Sequence, residues 1–452
     1  MAAQGKSSEI RFIDRLKGDK VVWIIVLFLC MFSLVSIFSS TSQLATGTMS
    51  RIDIARGQLA TILLGLAVII GVYNINSIKV FKLFSSLGFP LSLFLLLLLD
   101  LHINTGFLQA RAVNGAWRIL VVAGKQIHVY EIVKVAMVMY LAWAIERFKQ
   151  GGFRFGHFRP LWQKILYIYL PTLLVSAATL PGSNSSAIFI AGILFLTILI
   201  GGMPFKDVLI IGACAVGLFL GCIGLYKATH WEKLERIGTF LSRMDKSVDY
   251  EQVAAEAKPG SVEFYEALDK IRQPYGAKIA IKQGGLIGKG PGRSTQKYVV
   301  PVMYEDYIFS FLIEEYGLII GGIFVIFLYI SLLARGSIIA RNCEGHFAKV
   351  SVAGLCVLIT GQAMMHILVN CDVGLLTGQT LPLISYGRTS FWCFSLAFGI
   401  ILSISRMAAR RIEKQTREAD PLIELGAQST GDELRDSLGD LDDYESMDRD
   451  IE

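Results

Sequence analysis

The chain has 452 residues, 53% hydrophobic and only 18% charged, with a formal net charge of +6 and a mean hydropathy of +0.54. A soluble protein of this length would carry more charge and divide into several domains, so an ordinary soluble globular chain is excluded. The seven cysteines are scattered and include no C-x-x-C pair, which argues against a zinc site or a disulfide framework and leaves no metal-ligand set in view.

Apolar runs near the roughly 20 residues needed to cross a hydrocarbon core succeed one another along the chain. They lie at 21–38, 59–72, 83–99, 132–144, 165–178, 187–200, 208–226, 319–333, 350–369 and 391–405. The run at 59–72 is short and needs its flanks to cross. Spanning strands would be about half as long and alternating, so the runs are helices. The expected fold is an all-α polytopic membrane protein of about ten transmembrane helices, with a large extracytoplasmic loop between helices 7 and 8. Its parts are a cytoplasmic segment 1–20, a membrane domain 21–408 containing the loop 227–305, and a tail 409–452. The first run is longer than a signal-peptide core and reads as a signal-anchor.

Loop charge sets the orientation. Lys6, Arg11, Arg15, Lys17 and Lys20 precede the first span. Arg147, Lys149, Arg154, Arg159 and Lys164 follow the fourth, and Arg406, Arg410, Arg411, Lys414 and Arg417 follow the last. With ten spans these fall on one side, which the positive-inside rule makes cytoplasmic, together with both termini. The loop 101–130 breaks the rule, because Arg111, Arg118 and Lys125 face outward. From Glu418 onward the tail has thirteen acids against two arginines, a composition that reads as disordered. No internal repeat of the transporter kind is apparent.

The richest stretch is 283–317, QGGLIGKGPGRSTQKYVVPVMYEDYIFSFLIEEYG. A glycine- and lysine-bearing loop runs into an aromatic, acidic, apolar segment at a membrane edge. Asp306 stands beside Glu305 and eight residues before Glu314. Carboxylates at such depth are costly and usually do chemistry, carry ions or pair with cations. The loop is no P-loop, since its Gly-Lys-Ser/Thr ending is missing. Its glycines would let backbone N–H groups approach phosphate, or keep a lid flexible. Glu131 and Lys134, three apart, share one helix face as an ion pair or as part of a site.

Three stretches together resemble the shape, elongation, division and sporulation family, which includes FtsW and RodA. They are VNGAWRIL at 113–120 with YEIVKVA at 130–136, then GGLIGKGPGRSTQKYVVP at 284–301 with EDYIFSFLIEEYGLIIGG at 305–322, and TLPLISYGRTS at 380–390. The GKGPGRSTQK wording is nearer the FtsW branch. The resemblance implies a peptidoglycan glycosyltransferase of the bacterial cytoplasmic membrane, polymerising lipid II into glycan strands for septal wall synthesis. It would work beside a class B penicillin-binding protein and other division proteins, with no nucleic acid involved. A lipid II flippase and a catalytically weak division scaffold are the competing readings.

Asp306 would then be the catalytic base. Arg118, Glu131, Lys134, Lys289, Gln296, Lys297, Ser385 and Tyr386 would contact substrate. The leaving pyrophosphate needs its growing charge stabilised by guanidinium, ammonium, backbone N–H groups or a divalent cation such as Mg2+. Four departures from the family pattern stand out. Ile119 replaces a tryptophan, Gly182 an acid, Tyr304 a histidine and Arg388 a glycine.

Overall fold

The computed structural model describes residues 17–41, 50–113, 116–152, 159–229, 238, 250–259, 261–373 and 378–419. The expected cytoplasmic segment before residue 17, part of the outer loop and the acidic tail beyond 419 lie outside them. Residues 19–404 make one compact unit. In the other unit, Lys17 pairs with Glu413 at 2.9 Å.

The chain is a bundle of apolar helices: α1 (Lys20–Ser40), α2 (Arg51–Tyr73), α3 (Ile78–Ser86), α4 (Gly88–Asp100), α5 (Val129–Lys149), α6 (Pro160–Thr179), α7 (Asn184–Ile200) and α8 (Phe205–Thr229). After α9 (Tyr250–Glu256) and α10 (Val262–Gly284) come α11 (Ile308–Asn342), α12 (His346–Asn370) and α13 (Arg388–Ala419). Among the described residues, eight helices are long and apolar enough to cross a membrane, α3 and α4 counting together. Of the remaining predicted runs, one falls on α7, a shorter apolar helix, and one on α5, whose Glu131, Lys134 and Glu146 dilute its apolar character. Local chemistry starts these helices. Asp19 caps α1 through the Val21 and Val22 N–H groups, and Ser50 with Asp53 forms a capping box on α2.

The run at 59–72 crosses together with its flank, as part of the longer α2. The run at 319–333 is the middle of the 35-residue α11, which begins at Ile308, three residues after the expected end of the loop 227–305. The loop 101–130 adds strands to the expected all-α fold. It folds as an antiparallel sheet of β1 (Leu108–Val113), β2 (Ala116–Val122) and β3 (Lys125–His128) in the order β1-β2-β3. Its strands, of four to seven residues, are too short to announce themselves against the neighbouring spans.

The described part of the loop 227–305 is built around α10, which lies against the first part of α11. Contacts advance in step: Gly276 meets Val300, Gly284 meets Ile313, and Gly288 meets Glu315 and Gly317. The chain then turns back through 289–300. The turn reaches about 14 Å along α11 from its start, at ~1.5 Å per residue. A side chain at Gly284 would put its Cβ 2.1 Å from the Ile313 carbonyl, so only glycine permits this approach. The ladder of α11 is disturbed at this level by Gly317 (φ +79°) and a π-helical stretch, Leu318–Phe324. The hairpin supplies the missing partners. Lys289 N–H donates to Glu314 O, Gly290 N–H to Glu315 O, and Leu318 and Ile319 donate to Gly285 O and Leu286 O.

Candidate active site

Arg118 is aimed by a defect in the small sheet. Ala112 pairs with Trp117 and Arg111 with Ile119, so Arg118 is the extra residue of a β-bulge. A bulge redirects the side chain it carries. Arg118 Nε donates to the Gly182 carbonyl at 3.2 Å, and its charge bears on Asp306. Ile119, where the family pattern has tryptophan, is 4% exposed in the wall of this sheet. Gly182, where the pattern has an acid, has no room for one. A Cβ there would lie 1.7 Å from the Tyr130 hydroxyl, which donates to the Trp117 carbonyl at 3.0 Å.

Asp306 sits in the turn just before α11, half-buried, with its N–H donating to Val302 O at 3.1 Å. The segment 380–390 supports this turn from below. Ser385 Oγ donates to the Glu305 carbonyl at 2.8 Å, and Tyr386 N–H donates to the Tyr304 carbonyl at 3.0 Å. The rings of Tyr304 and Tyr386 meet edge to face, with centroids 5.6 Å apart. Ser385 and Tyr386 are thus joined to the acidic turn through its backbone. Gly378 lies against the Asp306 carboxyl, and Arg388 is exposed at the start of α13.

The two neighbouring acids are tuned apart. Burial pushes Asp306 up to about 6, with the Arg118 cation pulling the other way. Burial, then the charges of Asp306 and Glu131, push Glu305 up to about 8. Burial and the neighbouring charges thus favour a proton on Glu305 over one on Asp306. Sequence alone left open whether burial or a basic neighbour would dominate at Asp306.

Glu131 and Lys134 form a buried pair at 2.8 Å, with Lys134 only 2% exposed. Lys134 Nζ also reaches Gln362 Oε1 at 2.5 Å and Gln379 Oε1 at 3.0 Å. The charge of Glu131 acts on Glu305, which places this pair on the flank of the acidic turn.

Lys289, Gln296 and Lys297 are engaged elsewhere, between the α10 hairpin and α11. Lys289 pairs with Glu314 at 2.6 Å, and Thr295 N–H and Oγ1 donate to the same carboxylate. Lys297 lies 3.7 Å from Glu315 and donates to the Gly292 carbonyl and the Ser39 hydroxyl. Gln296 is 8% exposed, with its N–H directed at Glu314. The glycines and lysines expected to cradle phosphate here seat the hairpin on its own protein.

The sequence reading missed a polar stripe. Gln362, His366 and Asn370 recur every four residues along the otherwise apolar α12, all buried, on one face. That spacing in an apolar run was the available signal. Gln362 Nε2 donates to Thr380 O, His366 Nδ1 lies 2.7 Å from Gln379 O, and Asn370 joins the Asp306 turn. No group of three or more His, Cys, Asp or Glu that could hold a metal occurs among the described residues.

The FtsW/RodA/SpoVE family model, described as cell cycle protein, matches residues 19–410. A probable peptidoglycan glycosyltransferase FtsW of Enterococcus hirae is 28% identical over 424 residues, 90% of this chain and 96% of that one. The protein of the same name from Caulobacter vibrioides is 40% identical over 130 residues, which are 29% of this chain and only 33% of that relative. The peptidoglycan glycosyltransferase MrdB of Escherichia coli K12 is 36% identical over 146 residues, 30% of this chain and 39% of that one. Among solved structures, a chain of a peptidoglycan synthase complex that coordinates polymerization and crosslinking superposes with a TM-score of 0.60 at 22% identity, covering 86% of this chain and 98% of that one. RodA of Thermus thermophilus superposes with a TM-score of 0.54 at 21% identity, covering 86% and 97%. The structural matches establish a shared fold, and with the family model spanning nearly the whole helical body, this chain belongs to the FtsW/RodA/SpoVE family of multi-pass membrane proteins.

Proposed function

We propose that the chain is a peptidoglycan glycosyltransferase that polymerises lipid II at the outer face of the bacterial cytoplasmic membrane. The observation that carries the reading is Asp306: a half-buried acid tuned to about 6, under the field of a bulge-aimed arginine, in a turn held by the 380–390 segment. The acceptor sugar hydroxyl attacks the anomeric carbon of the donor with inversion. Its oxygen forms the new glycosidic bond, its proton passes to the Asp306 carboxylate, and the bond to the lipid pyrophosphate breaks. General-base help of this kind contributes about 10²–10⁴-fold. Arg118 meets the charge gathering on the departing pyrophosphate. Lys134, fixed by Glu131, Gln362 and Gln379, adds a cation at the flank. A divalent cation such as Mg2+ would enter with the pyrophosphate, and no step is routed through it.

The division role rests on the nearer wording of the 284–301 motif and on the FtsW names of relatives; a role in cell shape is the other branch. A class B penicillin-binding protein is the partner suggested by the synthase complex that shares this fold. The site face is placed outside, with both termini in the cytoplasm, by the loop-charge count.

The test is full-length protein with lipid II, read as glycan chains on a gel. Asp306→Asn should abolish chains while the protein still inserts and folds, because the near-isosteric amide cannot accept the proton. Glu305→Gln is the control. Loss with Glu305→Gln but not with Asp306→Asn shifts the base by one residue. Lipid II crossing vesicle membranes with no chain growth would favour the flippase. No effect from either substitution would refute the mechanism.

A further inference from the structure

The first turn of α11, just after Asp306, is capped from another helix. Its N-cap residue Tyr307 does not cap the helix with its side chain. The Ser310 N–H, one of the orphan donors of that turn, is met by Asn370 Oδ1 at 3.0 Å, and the Ser310 hydroxyl donates to the same oxygen at 2.8 Å. Asn370 Nδ2 donates to the Asp306 carbonyl at 3.1 Å and to the His366 carbonyl at 2.8 Å. The amide can face only one way. An N–H group requires the oxygen, and two carbonyls require the nitrogen. Asn370 is 0% exposed, so water does not compete for these bonds.

We propose that Asn370 is a positioning residue for glycan polymerisation, holding the Asp306 peptide to the end of α12 so that the carboxyl keeps its aim. The inference rests on reading Asp306 as the base. A helix cap needs only an acceptor, which aspartate would supply equally well. Asparagine adds a donor, and that donor is directed at the residue that does the chemistry. Without it, the turn between Val302 and the first turn of α11 loses its bond to α12, and the carboxyl can drift. A displacement of about 1 Å can cost on the order of 10²-fold in rate.

The experiment compares Asn370→Asp, Asn370→Ala, Ser310→Ala and Asp306→Asn in full-length protein in lipid nanodiscs. Turnover and KM for lipid II are measured separately, alongside thermal unfolding. Assays run near pH ~8, so that an added carboxylate cannot act merely by keeping Asp306 protonated. Asn370→Asp keeps the acceptor for Ser310 and loses the donor to Asp306, so turnover should fall about 10²-fold with KM little changed. Asn370→Ala should lose as much turnover and also melt earlier. Ser310→Ala should turn over within about threefold of the parent, because the clamp on Asp306 survives. Normal turnover in both Asn370→Asp and Asn370→Ala would overturn the proposal and leave Asn370 as a plain cap. If Asn370→Asp does not fold, equal losses in Ser310→Ala and Asn370→Ala overturn it instead. If Asp306→Asn itself stays active, the base reading has failed. If Asp306→Asn is inactive while the Asn370 variants turn over normally, only the positioning role has failed.

Discussion

Replacing Lys297 with methionine separates two accounts of the same lysine. The motif places Lys297 on a substrate pyrophosphate, whereas the structure places it 2% exposed beside Glu315, which is 0% exposed at its side chain. Its ammonium donates to the Gly292 carbonyl at 2.7 Å and the Ser39 hydroxyl at 3.2 Å. Lys297→Met keeps most of the side-chain volume and leaves Glu315 as a buried carboxylate without its cation. Breaking one side of a buried pair costs about 3–5 kcal/mol. The lower end applies here, because Glu315 Oε1 still accepts from Ser39 Oγ at 2.6 Å and Ser294 N–H at 3.3 Å. Adding Glu315→Gln removes the stranded charge, so the double variant should be more stable than Lys297→Met alone. Unfolding midpoints in detergent for both singles and the double measure this coupling, and lipid II polymerisation by the folded fraction is followed in parallel. An unchanged midpoint with a raised KM for lipid II, unrepaired by Glu315→Gln, would refute the reasoning. Lys297 would then be reaching substrate and not holding the hairpin.

Other outcomes follow from the site. Polymerisation should decline as pH falls through about 6, because a protonated Asp306 cannot accept the sugar proton. Arg118→Gln removes the cation that holds that pKa down, so the acidic limb should move to higher pH; an unmoved limb would detach Arg118 from Asp306. Gly182→Asp should lower the unfolding midpoint, since its Cβ would lie 1.7 Å from the Tyr130 hydroxyl and 2.7 Å from the Trp117 carbonyl; an unchanged midpoint would show that the site has room for an acid. Truncation after Arg417 should leave the polymerisation rate unchanged, because the loop-charge count puts the tail across the membrane from Asp306; a large loss in well-folded protein would contradict this.

Much of the molecule is written along the chain. Apolar runs of spanning length specify helices wherever they occur, because a lipid-exposed backbone has to satisfy itself within the segment. The motif around Asp306 needed no structure to be singled out, since a carboxylate at the head of an apolar helix stands out by its cost. What tertiary structure decided depends on residues far apart in sequence. The bulge that aims Arg118 is a matter of register between two short strands, and register leaves little mark on composition. The lysines of 289–297 read as ligands for phosphate until the fold brought Glu314 and Glu315 beside them; a cation's partner is whichever anion is nearest in space. In sequence, Asn370 is one polar residue just after the apolar run 350–369. Only the packing of α12 against α11 turns its amide toward Ser310 and Asp306. Local pattern determines which segments cross, because hydrophobicity acts segment by segment. Hydrogen bonds and charge pairs act over about 3–4 Å, so their pairing is set only when distant segments meet.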